Sequence, residues 1–330
     1  MRPVRAPSLA QINTVRDLVA KEHMQNADLL LQLPQPSGPP DPIAIHNILL
    51  ATDFSDCSKR ALGYALGIAS RYKSQLHLFH CIDPTPYNLI DPSPIQTACD
   101  DARRELEQLV SDLRREHRTR NVKLNTLVSA GDLIDLLTDA VKNLNVDLII
   151  VGTHGRTGWR KAILGSVTEL VVDQSSCPVL SVGRFADRIR IQEFGPESIL
   201  LAYGASARSQ LAESYAVSLA RKYNSRLSVV DVVDDKGGRV LAQVSQLKLS
   251  EHDVRNTTLD APLTIPSQLP IDIDAQSDLI LQVADQTAAD VIVLAVPATH
   301  RFSDRFVSTN SYRVVCGARC PVLTVHAQDL

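Results

Sequence analysis

The sequence predicts an α/β protein built from two tandem, open-twisted, doubly wound parallel sheets. Short β-branched apolar runs alternate with segments of helical periodicity, the second half repeats the first, and one run, DLIIVG, passes through a glycine-punctuated loop into a helix. Repeated β-α units imply parallel strands joined by right-handed crossovers, since a right-twisted strand returns its helix to the sheet only in that hand. A chain of 330 residues, 44% hydrophobic and 22% charged, is long enough for two such cores.

The first 45 residues differ from the rest. Ser8 can cap a helix carrying Leu9, Ile12, Val15, Leu18 and Val19, which the proline-rich stretch Pro34 to Pro42 ends as an extended linker. This reads as an accessory helix that docks on the body or on a protein partner. From His46 the alternation begins. Asn47 to Asp53 is a buried strand with a polar tip, and Ser55 to Tyr72 is a helix with Ala61, Leu62, Ala65, Leu66 and Ile68 inward.

Gln75 to Ile82 is strand two, Gln96 to His117 a charged helix, and Val122 to Ser129 strand three. Gly131 and Asp132 open a third helix. Val146 to Gly152 is strand four, apolar along its length as a parallel strand covered on both faces must be, and Pro178 to Val182 is strand five.

In the second half, SILLAY at 198–203, SRLSVVDVVD at 225–234 and RCPVLTV at 319–325 match Asn47 to Thr52, SQLHLFHCID at 74–83 and SCPVLSV at 176–182. A repeat of about 150 residues is too long for a solenoid and means two copies of one domain. The domains are 46–183 and 197–326, with the boundary near Gly183 to Pro196. Asp235 to Pro270 is irregular and proline-containing, so a strand or loop excursion at a sheet edge is expected there.

Between strand four and its helix, Gly152, Gly155, Gly165 and Ser166 form the pattern G-x2-G-x9-G-S. Glycines let backbone amides approach a ligand that a Cβ would hold away, and a helix start offers unpaired amides at the positive end of its dipole. That combination suits a phosphate. The loop lacks both G-x-x-x-x-G-K-[ST] and G-x-G-x-x-G, so it is neither of the two best-known cradles. Aligned from Cys177-Pro178 and Cys320-Pro321, copy two places Ala295, Ala298, Ser308 and Thr309 where copy one has Gly152, Gly155, Gly165 and Ser166, and Gly204 opposite Asp53. Copy two keeps the apolar pattern and loses the cradle, which ties those residues to a ligand rather than to folding.

Other features carry less chemistry. Arg156, Arg160 and Lys161 can neutralise a triphosphate or simply solvate the loop. His154 has no partner in sequence and reads as a loop residue rather than a general base. The 34 basic and 37 acidic residues leave a net charge of -3, so no general field points to nucleic acid or to an anionic membrane. The longest apolar runs fall far below the roughly 18 residues of a membrane span. The six cysteines form no C-x-x-C pair and read as buried thiols in a reducing cytoplasm.

ILLATDFSDCSKRAL, HLFHCID, DLIIVGTHGRTG, LGSVTELVV and the CPVLSV and CPVLTV strands together resemble the universal stress protein family in its tandem form. The glycine pattern matches the signature of the family's ATP-binding subgroup. The resemblance implies five-stranded sheets of order 3-2-1-4-5 that pair through strand five, joining Val179 to Val182 with Val322 to Val325 as an internal pseudodimer. It implies that Ala51 and Thr52 line an adenine pocket, that Asp53 contacts the ribose or base side, and that the backbone at Cys81 meets the adenine edge. Val151, Gly152, Gly155, Gly165, Ser166 and Val167 would surround ribose and phosphates, with Arg156 alongside and magnesium on the phosphate chain. Relatives often have proline at position 51, so Ala51 is a mild departure. The implied function is ATP binding in copy one as a stress-response regulator. The alternatives are an adenine-nucleotide hydrolase or adenylyl-transferring enzyme, and a nucleotide-free interaction module.

Overall fold

The apolar stretch at 47–51 becomes a central strand because both of its faces and both of its edges are covered. This strand, β1 (Asn47–Ala51), lies parallel between β2 (Gln75–Ile82) and β4 (Leu148–Gly152), and its Ile48, Leu49 and Leu50 are buried. Each such side chain contributes about 1.5–3 kcal/mol by leaving water. The computed structural model describes residues 43–85, 93–116, 122–154, 165–186, 195–203, 210–235, 239–248, 259–270, 273–296 and 310–326. The expected N-terminal helix and the linker lie outside these residues.

Copy one adds β3 (Lys123–Ala130) beside β2 and β5 (Val179–Val182) beside β4, giving the order β3-β2-β1-β4-β5, all parallel. Copy two repeats the scheme with β6 (Ser198–Tyr203), β7 (Arg226–Asp235), β10 (Val291–Val296) and β11 (Val322–His326). Helices α1 (Asp56–Tyr72), α2 (Ser93–Arg115) and α5 (Gln210–Tyr223) cover one face. Helices α3 (Leu133–Leu144), α4 (Ser166–Gln174), α6 (Ile273–Gln286) and α7 (Asn310–Gly317) cover the other.

The expected pair of five-stranded sheets is joined into one sheet of 11 strands. The join is antiparallel, β5 to β11, with Leu180 opposite Leu323 and both 3% exposed. Thr324 Oγ1 donates to Val179 O across it at 3.1 Å. On the α1/α5 face the contact is reciprocal. The Arg71 guanidinium lies 5.6 Å from the Tyr223 ring centre, and the Lys222 ammonium lies 5.1 Å from that of Tyr72. Each copy thus lends a cation to the other's aromatic ring, the mutual contact expected of a two-fold interface.

Among the described residues copy two carries six strands. In place of a helix and a parallel third strand, β8 (Arg239–Lys248) pairs antiparallel with β7, and β9 (Leu259–Pro270) pairs antiparallel with β8. This is the excursion expected at 235–270. Pro262, Pro266 and Pro270 are tolerated because β9 is the edge strand, where a missing N–H costs no ladder bond on the open side. Among the described residues no helix is long and apolar enough to cross a membrane.

Candidate functional site

Strands β1 and β4 are neighbours, with Ala51 beside Val151, but the chain leaves their carboxyl ends toward opposite faces, into α1 and α4. That divergence opens the crevice in which doubly wound sheets bind ligands. Ala51, Thr52 and Asp53 lie on one lip, Val151 and Gly152 on the other, and Gly165, Ser166 and Val167 enter α4. Cys81 is near the end of β2, the next strand out. Gly155 and Arg156 lie outside the described residues.

The β1 lip is a hydrogen-bonded turn. Thr52 Oγ1 accepts from Phe54 N at 3.1 Å and donates to Ser58 Oγ at 3.1 Å, while Asp53 Oδ1 accepts from Ser55 N at 3.0 Å. Ser55 caps α1 by accepting from Ser58 N at 3.2 Å. Phe54 has φ 63°, a left-handed conformation that costs a bulky residue on the order of 1–3 kcal/mol unless its surroundings enforce it. Here they do: the turn bonds flank it, and its ring lies 4.8 Å from that of His80, whose Nδ1–H donates to Thr52 O at 2.7 Å. One oxygen of Asp53 therefore shapes its own loop.

The β4 lip is tied to α4 by two bonds. Gly165 N donates to Thr153 O at 2.8 Å, and Thr168 Oγ1 donates to Gly152 O at 2.8 Å. The two ends of the glycine loop are thereby pinned together. The first bond of α4 runs from Glu169 N to Gly165 O at 3.0 Å, so the amides of Ser166, Val167 and Thr168 precede any intrahelical acceptor. Gly165 is the N-cap and offers no side-chain bond to them. A short helix whose capping position carries no side chain leaves its first turn open to an anion.

Gly152 has a second explanation that its spacing did not suggest. A Cβ there would lie 2.8 Å from Cys57 C and 2.9 Å from Ser58 N, inside the backbone of α1. The glycine allows β4 and α1 to pack closely, whatever it also does for a ligand.

The nearby imidazole and thiols are held neutral by burial. Burial first, and then the charge of Arg184, lower the His154 pKa, so the imidazole is uncharged at pH 7. Its Nδ1 is hydrogen-bonded to Thr153 Oγ1 at 2.8 Å, and its Nε2 is buried without a partner among the described residues. Burial pushes the Cys81 thiol up to about 11, with Asp132 and Asp83 adding to it, and the thiol lies 3.5 Å from Gly131 O. Burial likewise raises Cys57. None of the six cysteines is joined in a disulfide. Among the described residues no group of three or more His, Cys, Asp or Glu side chains is placed to hold a metal.

Sequence reasoning missed Ser58, His80, Thr153 and Thr168. Thr153 and Thr168 are each 1% exposed. Two buried threonines flanking a glycine loop were the available signal, since a buried hydroxyl must find a partner.

The profile of the universal stress protein family matches residues 44–183 and 196–326. A universal stress protein of Methanocaldococcus jannaschii is 27% identical over 136 residues, 41% of this chain and 80% of that protein. Universal stress protein A homolog 1 of Coxiella burnetii is 30% identical over 143 residues, 41% of this chain and 94% of its own. Among solved structures, a universal stress protein from Archaeoglobus fulgidus superposes with a TM-score of 0.62 at 18% identity, covering 86% of this chain and 97% of that one, which bears on the fold alone. With two successive family matches on a doubly wound sheet that pairs through its fifth strands, the chain belongs to the universal stress protein family and carries its domain twice.

Proposed function

We propose that copy one binds ATP across the carboxyl ends of β1, β2 and β4, as a regulatory ligand in a stress response, and that copy two serves as its structural or protein-binding partner. The observation that carries this reading is the convergence, at one switch point, of the Asp53 turn with the uncapped first turn of α4. The phosphates would lie against the amides of Ser166, Val167 and Thr168, with Gly155 and Arg156 on the loop between. Asp53 would contact the ribose or base side. The purine would sit over Ala51 and Thr52 with its edge at the Cys81 backbone.

Magnesium would enter on the phosphate chain, where the ion is commonly held by substrate phosphates and water. A regulatory role is favoured over a dedicated enzyme because neither imidazole at the crevice is oriented by a carboxylate among the described residues: His154 Nδ1 is engaged by Thr153 and His80 Nδ1 by Thr52 O. The cytoplasm, where ATP is abundant, is the expected location.

Calorimetric titration with ATP and magnesium should give one site per chain. Gly165→Val, which drives a side chain into the phosphate path, should abolish binding while leaving the circular dichroism spectrum unchanged. Unaltered affinity in a folded Gly165→Val protein, or two equivalent sites per chain, would overturn the assignment.

A further inference from the structure

Helix α4 is held at both ends, and the two holds come from different copies. Its first turn is tied to copy one through Thr168 Oγ1 and Gly152 O. Its last turn is tied to copy two: His326, at the end of β11, bonds through Nε2 to Val172 O at 2.7 Å. A carbonyl only accepts, so the imidazole Nε2 carries the hydrogen. Val172 belongs to the final four residues of α4, whose carbonyls have no partner within the helix, and Ser175 N already takes Val171 O at 3.1 Å. His326 therefore supplies a C-terminal cap from across the seam.

The helix depends on such help. It has nine residues, no side-chain bond at its N-cap and no basic residue in its last turn. A helix of that length is marginal by itself and takes its position from tertiary contacts. Val171 and Val172 are fully buried on the seam-side core, which includes Val315, Ala318 and Val322 of copy two.

The hold runs in one direction. With Cys177-Pro178 matched to Cys320-Pro321, the position equivalent to His326 is Gly183, and Val172 corresponds to Val315 on α7. A Cβ built at Gly183 would lie 3.5 Å from Ala318 O, at the carboxyl end of α7, so the position does face the opposite copy's helix end. Glycine has no side chain to reach with. Copy two grips the helix of copy one, and copy one does not return the grip.

We propose that His326 is a positioning residue: it caps α4 in trans, and through this rigid helix copy two sets how firmly copy one holds an anion at Ser166 to Thr168. This rests on the nucleotide reading for its ligand and on the His326–Val172 geometry for its mechanism. Anything that shifted β11 would be felt at the amino end of α4, about 9 Å from Val172 at 1.5 Å per residue.

The test uses the full chain with His326→Ala and His326→Gln, since glutamine retains an N–H donor. Amide hydrogen exchange should speed up in α4 of His326→Ala while β1 and β6 keep wild-type protection, and His326→Gln should recover most of the protection. The ATP dissociation constant of His326→Ala should rise roughly three- to tenfold at an unchanged stoichiometry, the effect of one neutral hydrogen bond, with partial recovery in His326→Gln. Wild-type exchange in α4 of His326→Ala would overturn the cap. Faster exchange with unaltered ATP affinity would overturn the positioning role. Should the wild-type chain bind no ATP, the nucleotide reading fails by itself, and with it the affinity claim; the exchange measurement then still decides whether His326 holds α4.

Discussion

The amino ends of the strands in the two copies are built alike, and the carboxyl ends are not. At the amino ends, Asp147 Oδ2 accepts from His46 N at 2.7 Å and Asn47 N at 2.8 Å, and Asp290 Oδ2 accepts from Glu197 N at 2.8 Å and Ser198 N at 3.0 Å. Ser74 Oγ donates to Ile45 O as Ser225 Oγ does to Pro196 O. The helices that run back to this end stop on left-handed residues in matched places, Lys73 with Asn224 and Asn145 with Ala288. At the carboxyl ends, copy one has a strained Phe54, an Asx turn at Asp53 and a glycine pressed on α1. Copy two has Ala295, buried at 8% exposure, where Gly152 stands. The amino ends kept these devices in both copies, while at the carboxyl ends the two copies differ.

Four measurements break or sharpen that contrast, each read as a shift in urea denaturation. Gly152→Ala forces a Cβ into the backbone of α1 and should cost about 3 kcal/mol, whereas Ala295→Gly should cost no more than about 1 kcal/mol. Equal costs would mean that the two strand–helix contacts are equivalent after all. Asp147→Ala and Asp290→Ala should each cost about 1–3 kcal/mol, because each strands two backbone amides that a carboxylate satisfied. A large gap between them would break the equivalence of the amino ends.

Ala288→Asn should stabilise by about 0.5–1 kcal/mol. Its φ of 47° is one that alanine adopts at a cost and asparagine, found at the matched position 145, adopts readily. A destabilised variant would mean that the left-handed cap is held by something other than local backbone preference.

The smallest effect is in pH. His77 is 3% exposed, and burial lowers its pKa below the usual value of 6.5. The unfolded chain then binds the proton more tightly than the folded one. The stability from neutral His77 is present above about pH 6.5 and is lost as the pH falls through the folded-state value. Because copy two has Ser228 at the matched position, His77→Ser should flatten this acid limb; an unchanged limb would assign it to other groups.

Much of this was legible in the chain. Uninterrupted runs such as LIIV and VIVL can only be strands covered on both faces, and the repeated CPVL segments marked the strands that meet at the seam. The expected edge excursion appeared as β8 and β9; its prolines left strand and loop both open, since proline tells against a strand except at an edge. The glycine pattern located the loop but left open which glycine serves packing. Gly152 declares its contact with α1 only when both elements are in place.

By itself, the sequence determined the duplication, the alternation of strands and helices, and the loss of the glycine loop from copy two, because these depend on residue order and local periodicity. Only the tertiary structure decided that Asp147 and Asp290 clamp the strand starts, and that His326 reaches Val172, 154 positions away in the chain. Those contacts depend on register and crossover geometry. A hydrogen bond closes or fails within a few tenths of an ångström, a distance that no local pattern encodes.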